Sequence, residues 1–117
     1  QFVNGSKLVM PENSDLDFVL DAIGDRTRRS ILVLLRESPL SVGVLASHLP
    51  ISRPAVSKHL RVLQEAGLVG YFEQGTHNIF YLQPTGFQAA RAFLELFWDE
   101  ALFSFKQFSE ESDPPSA

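Results

Sequence analysis

Arg53, Lys58 and Arg61 follow one another at short intervals, with Ser52, Pro54 and Ser57 among them. Guanidinium and ammonium groups bind phosphate oxygens and the acceptor edge of guanine, and small residues between them allow close approach to a surface. At about 100° per residue, Val56, Leu60 and Leu63 gather on one side of a helix, and Pro54, Ser57, Lys58, Arg61 and Glu65 on the other. A helix that buries the first set offers the second to solvent or to the major groove of duplex DNA. Ser52 stands where such a helix needs an N-cap, and a proline is tolerated in its first turn. Arg53 and the free first-turn N–H groups are placed to meet a phosphate. A solvated helix face has a similar composition, so the neighbouring elements must decide.

Other chemistries find little support. The chain has no cysteine, which excludes disulfide scaffolds, thiolate metal sites and cysteine nucleophiles. His48, His59 and His77 fall on three different elements, and zinc needs several nitrogen or sulfur ligands together, so no metal site and no cofactor is expected. His59 lies about 70° from the apolar stripe of its helix and reads as a half-buried, hydrogen-bonded packing residue. No glycine-rich phosphate loop, nucleophile elbow or paired-carboxylate pocket is legible, so an enzyme is not expected. No run of about 18 apolar residues occurs, which argues against a membrane partner.

The elements that would position the cationic face read clearly. Residues 15–23 form a short amphipathic helix carrying Phe18, Leu20, Ala22 and Ile23, with Ser14 or Asp15 as its cap and Gly24 at its end. Asp25 caps a second helix, which buries Ile31, Leu32, Leu34 and Leu35 and leaves Arg26, Arg28, Arg29 and Arg36 in solvent. Ser41 caps a third, short helix, with Val42, Leu45, Ala46 and Leu49 as its stripe and Pro50 as its breaker. Ser52 opens the fourth, and Gly67 closes it. Two β-prone runs, 68–72 and 78–82, flank the polar EQGTH and form a hairpin. A long helix follows over about residues 85–108. Two short helices joined by a tight turn are the sequence form of a helix-turn-helix, whose second helix enters the major groove. The hairpin adds a wing. The fold class expected is mainly α with a small β-hairpin wing: a dimeric winged helix-turn-helix.

The charge supports that reading. The chain of 117 residues has a net charge of −4, but residues 26–61 carry +6, between acidic ends of −4 (1–25) and −5 (92–117). A basic centre can offer one positive face to a polyanion. The last helix points to a second partner. Seven of thirteen aromatic residues lie between Phe87 and Phe108, and Phe87, Ala90, Leu94, Phe97, Trp98, Ala101, Phe105 and Phe108 form one stripe. A small helical core covers about half of it, and the rest marks an interface. Phe18, Leu94, Phe97, Trp98, Ala101 and Phe105 are therefore read as contacts of a homodimer. An aromatic interface could also hold a small-molecule effector, but no polar anchor identifies one.

With these residues in hand, AIGDRTRRSILVLL (22–35) resembles the opening signature of the ArsR/SmtB-type winged-helix repressors. PLSVGVLASHLPISRPAVSKHLRVLQEAGLV (39–69) resembles their helix-turn-helix, with its S-x-H-L-x-x-L core at Ser57, His59, Leu60 and Leu63. The resemblance covers about residues 15–108. It implies a homodimeric, cytoplasmic bacterial repressor, nucleoid-associated when bound, that reads an imperfect palindrome in double-stranded DNA. Ser52, Arg53, Ser57, Lys58 and Arg61 match the family's recognition-helix positions.

The departures are specific. Arg26 stands where the family usually has proline, and the family's Arg-rich wing is here EQGTHNIFYL, with no Arg or Lys from Val62 to Ala90. Wings that enter the minor groove normally use such cations. Gln74, Thr76 and His77 are thus expected to contribute weakly, and Glu73 to repel phosphate. The family's metal-sensing Cys-x-Cys is absent from VGVLASHL, and the last helix has no histidine. The organisation expected is a tag remnant at 1–9, the regulatory domain with its dimerisation helices at 10–110 and a flexible tail at 111–117. The alternative is a winged-helix protein-interaction module without specific DNA reading, suggested by the cation-free wing and the net acidity.

Overall fold

The computed structural model describes residues 14–112, with the side chains at 14, 99–103 and 109–112 outside the description. The tag region 1–9 and residues 113–117 of the expected tail therefore lie outside it, as do the cap role of Ser14 and the contacts of Ala101. The order is α1 (Ser14–Ile23), α2 (Arg26–Glu37), β1 (Leu40–Ser41), α3 (Val42–Ser47), α4 (Arg53–Glu65), β2 (Val69–Gln74), β3 (His77–Leu82) and α5 (Pro84–Ser112). It is a mainly helical winged helix-turn-helix, as the residue pattern predicts.

Helices α2, α3 and α4 each start where a side chain can satisfy a first free donor. Asp25 accepts from the Arg28 N–H, Ser41 from that of Val44, and Ser52 from that of Ala55. The three apolar stripes then meet. Ile31, Leu45, Val56, Leu60 and Leu63 are all at most 1% exposed, and Val19, Ala22, Leu68 and Val69 close the core around them.

The boundaries differ from the sequence reading in three places. The third helix stops at Ser47, two residues early, because His48 takes a bridge-region conformation at its C-cap. The wing is longer: β2 reaches Gln74 and β3 starts at His77. These tip residues alternate no apolar side chain, so periodicity could not find them. They pair because Gly75, at φ +63°, makes the two-residue turn between Gln74 and His77. The last helix runs four residues past Phe108, to Ser112.

The sequence reading has no counterpart for β1. Its two residues pair antiparallel with β3, Leu40 opposite Phe80 and Ser41 opposite Ile79, giving a sheet in the order β1–β3–β2. This ties the base of the wing to the start of α3. Val69 to Gln74 pair in register with Leu82 to His77. Ring pairs Tyr71–Phe80, 5.4 Å apart, and Phe72–Tyr81, 6.2 Å apart, stiffen opposite faces of the wing. Among the described residues no helix is long and apolar enough to cross a membrane.

Candidate nucleic-acid interface

Helix α4 separates its two faces fully. Val56, Leu60 and Leu63 are buried, while Ser52, Arg53, Pro54, Ser57, Lys58 and Arg61 are all exposed. Thirteen residues give a rod of about 20 Å at ~1.5 Å per residue, with a diameter suited to a major groove.

The first turn is less open than the sequence suggests. The Ala55 N–H is taken by Ser52 Oγ at 3.3 Å, and Pro54 has none. That leaves the Arg53 N–H as the first-turn donor to offer a phosphate. The Arg53 side chain reaches back across the turn to α3. A methyl group on Gly43 would stand 2.8 Å from Arg53 Nη2 and 3.1 Å from Cζ. The guanidinium therefore rests on bare backbone at the start of α3, and Gly43 makes the room.

The structure brings Ser57 and Arg61 together with wing residues that sequence reasoning missed. A groove of about 300 Å³ between α4 and the sheet is lined by Ser57, Arg61 and Gln64 on one side and Tyr71, Asn78 and Phe80 on the other. Strand alternation puts Tyr71, Glu73, Asn78 and Phe80 on this one face of the hairpin. Only the register reveals this, and no local motif signals it. Gln74 and His77 face each other at the wing tip, with Thr76 in the turn, all exposed. They extend away from α4, roughly 17 Å along a six-residue strand.

Arg28 is a correction. The sequence reading leaves it in solvent, but it is half-buried and hydrogen-bonded to α1 and α4. Its main-chain N–H to the Asp25 carboxylate holds that group below the ordinary value of 3.8, helped by the Arg28 charge and the Thr27 N–H, against an opposing effect of burial. His59 is half-buried and hydrogen-bonded, as its position on the helical wheel predicts. Among the described residues no group of three His, Cys, Asp or Glu could hold a metal ion.

Phe18 on α1 and Leu94, Phe97, Trp98 and Phe105 on α5 are 53–69% exposed. Phe87 and Ala90, at the start of the same stripe, pack into the core against α1. A concavity of about 550 Å³ lined by Leu94, Phe97 and Trp98 lies on this face, with the Arg91–Glu95 ion pair at its rim.

Residues 25–71 match the model of bacterial regulatory proteins of the arsR family. Over 91 residues the chain is 47% identical to the HTH-type transcriptional regulator Rv2034 of Mycobacterium tuberculosis, covering 78% of this chain and 85% of that protein. The chain belongs to the arsR family. This arsR-family chain is also 37% identical over 70 residues to the transcriptional repressor SdpR of Bacillus subtilis, covering 60% of the chain and 78% of that protein. Its fold matches a homodimeric winged helix-turn-helix DNA-binding domain of Mycobacterium bovis, Mb0332, with a TM-score of 0.61 and 26% identity, covering 78% of this chain and 84% of that one. The arsR-family chain is thus a transcriptional regulator with a DNA-binding fold, and not an enzyme.

Proposed function

We propose that the protein is a homodimeric repressor that reads an imperfect palindrome in duplex DNA with α4 in the major groove. The observation that carries this is the division of α4: its apolar stripe is at most 1% exposed, while Ser57, Lys58 and Arg61 stand open on the other side. Arg53 braces the turn, and Ser57 and Arg61 border the groove in front of the wing. The wing adds little, because it carries no cation and Glu73 faces the same way as Asn78. The exposed aromatic face of α5, with Phe18, is the seat of the second copy, which sets two recognition helices one DNA turn, ~34 Å, apart. The similarity to SdpR supports repression. Such a protein works in the cytoplasm.

Enrichment from a random duplex library should yield half-sites about one turn apart. The variant carrying Lys58→Glu and Arg61→Glu should keep its melting transition, since both side chains are exposed, and lose operator binding. In whatever duplex binding the variant retains, removing two cations per copy, four per dimer, should lower the log–log salt slope by roughly 3–4. A folded double variant that binds as before excludes α4 as the reader. A wild-type protein that enriches no duplex but retains a protein partner would favour the interaction module, to which the cation-free wing points. A reporter driven from the recovered operator reads the sign of regulation.

A further inference from the structure

Helix α1 ends with main-chain carbonyls that its own last turn cannot satisfy, and it has no basic residue there. The Gly24 N–H donates to the Asp21 carbonyl at 3.2 Å, and helix α2 supplies the other donors. Arg28 Nε donates to the Ala22 carbonyl at 2.8 Å and Nη2 to that of Asp21 at 3.2 Å, while Arg29 Nη1 donates to Ile23 at 2.8 Å. The remaining arm of Arg28, Nη1, lies 3.3 Å from Nδ1 of His59 on α4. A guanidinium has only donors, so His59 Nδ1 must accept and the ring proton must sit on Nε2. One half-buried side chain thus joins the end of α1, the start of α2 and the helix that carries Ser57, Lys58 and Arg61.

We infer that Arg28 is a positioning residue for operator reading, setting α4 at a fixed angle to the α1–α5 layer through its contact with His59 Nδ1. This rests on the DNA-reading dimer proposed above. A planar fork holding three partners constrains orientation in a way a lysine ammonium cannot. Helix α1 packs along α5, where the second copy is seated, so the angle of α4 to α1 determines where the two sets of Lys58 and Arg61 fall on the duplex.

The coupling needs the Nδ1 lone pair of His59. The ionisable groups facing it are Arg28, at 3.3 Å, and Asp25, whose carboxylate takes the Arg28 N–H. From α1 the network meets main-chain carbonyls, and α3 has no ionisable residue. Tyr71 and Glu73 of β2 lie on the side of α4 that carries Ser57 and Arg61.

The test measures affinity for the enriched operator relative to a generic duplex at fixed salt, with the full chain. Arg28→Lys should bind the generic duplex as wild type does, lose roughly 3- to 30-fold in operator preference, and discriminate less against operators with one or two base pairs inserted between half-sites. His59→Asn, which keeps an acceptor near the place of Nδ1, should hold its operator preference, whereas His59→Leu, which has no acceptor there, should lose preference as Arg28→Lys does. An Arg28→Lys protein with wild-type preference and spacing overturns the inference. Should that variant fail to fold, a folded His59→Leu protein with wild-type preference and spacing overturns it. A wild-type protein that prefers no duplex instead removes the DNA reading itself.

Discussion

Trp98→Ala tests the proposed dimer most directly. Trp98 is the chain's single tryptophan and is 62% exposed, beside Leu94 and Phe97. Phe93 meets Phe97 edge-on at 5.1 Å and holds it outward. A tryptophan buries about 150–250 Å² when fully covered, so roughly 90–155 Å² of it remains for a second copy. At ~25 cal/mol per Å² that is about 2–4 kcal/mol for each Trp98, and twofold symmetry counts it twice. The lower end, ~4 kcal/mol for the dimer, raises its dissociation constant by roughly a thousandfold. Sedimentation equilibrium over a range of concentrations measures that constant. In the wild type the emission of Trp98 should shift to the blue as dimer forms, and back on dilution. The protomer should keep its stability, because the removed ring packs mainly against the partner. A dissociation constant changed by less than about twofold, the effect of an ordinary surface substitution, would refute the reasoning. So would a Trp98 emission that stays that of an indole in water at every concentration.

Three further outcomes follow from single positions. Gly86→Ala should destabilise by about 1–3 kcal/mol, because its methyl would stand 2.5 Å from the Ala66 carbonyl oxygen and 2.9 Å from Gly67 main-chain atoms; a lower denaturant midpoint at unchanged slope reads this. Gly43→Ala should change stability by less than ~1 kcal/mol, since only the flexible end of Arg53 must move; operator affinity in a titration should fall, dissociating binding from folding. Asp25 has a depressed carboxyl pKa in the folded protein, so its contribution is present above the ordinary value of 3.8 and is lost as pH falls through the folded value. Melting curves from neutral pH down to about pH 3 should therefore lose less in Asp25→Asn, which retains a capping oxygen, than in wild type.

The sequence exposes most of this architecture because its local signals agree. Asp25, Ser41 and Ser52 each cap the helix that the apolar stripe after it requires, and Val56, Leu60 and Leu63 are buried together as their spacing demands. What stayed hidden depends on contacts distant in sequence. Leu40 finds Phe80 forty residues away, and two residues are too few to show a period. Arg28 looks like any solvated helix arginine until α1 and α4 close around it. Arg53 and Gly43 give no sign of meeting. Tyr71 and Asn78 reach the α4 groove only through the hairpin register. The candidate DNA contacts were therefore legible as residue types on a face, whereas the side chains that fix how the face is held were not.

The capping of α1 by α2 has a consequence for how the molecule opens. Ten residues are too few for a stable solitary helix in water, and the carbonyls at 21, 22 and 23 are held by arginines from the next helix. Helix α1 therefore has no fraying equilibrium of its own at that end. Its last turn opens only when α2 moves, and Arg28 passes that opening on to α4. In hydrogen-exchange terms the end of α1, the start of α2 and the middle of α4 make one cooperative unit. Their amides should exchange together, slower than those of the exposed hairpin tip, so the helix that carries Phe18 of the proposed dimer seam and the helix proposed to read DNA are lost in the same event.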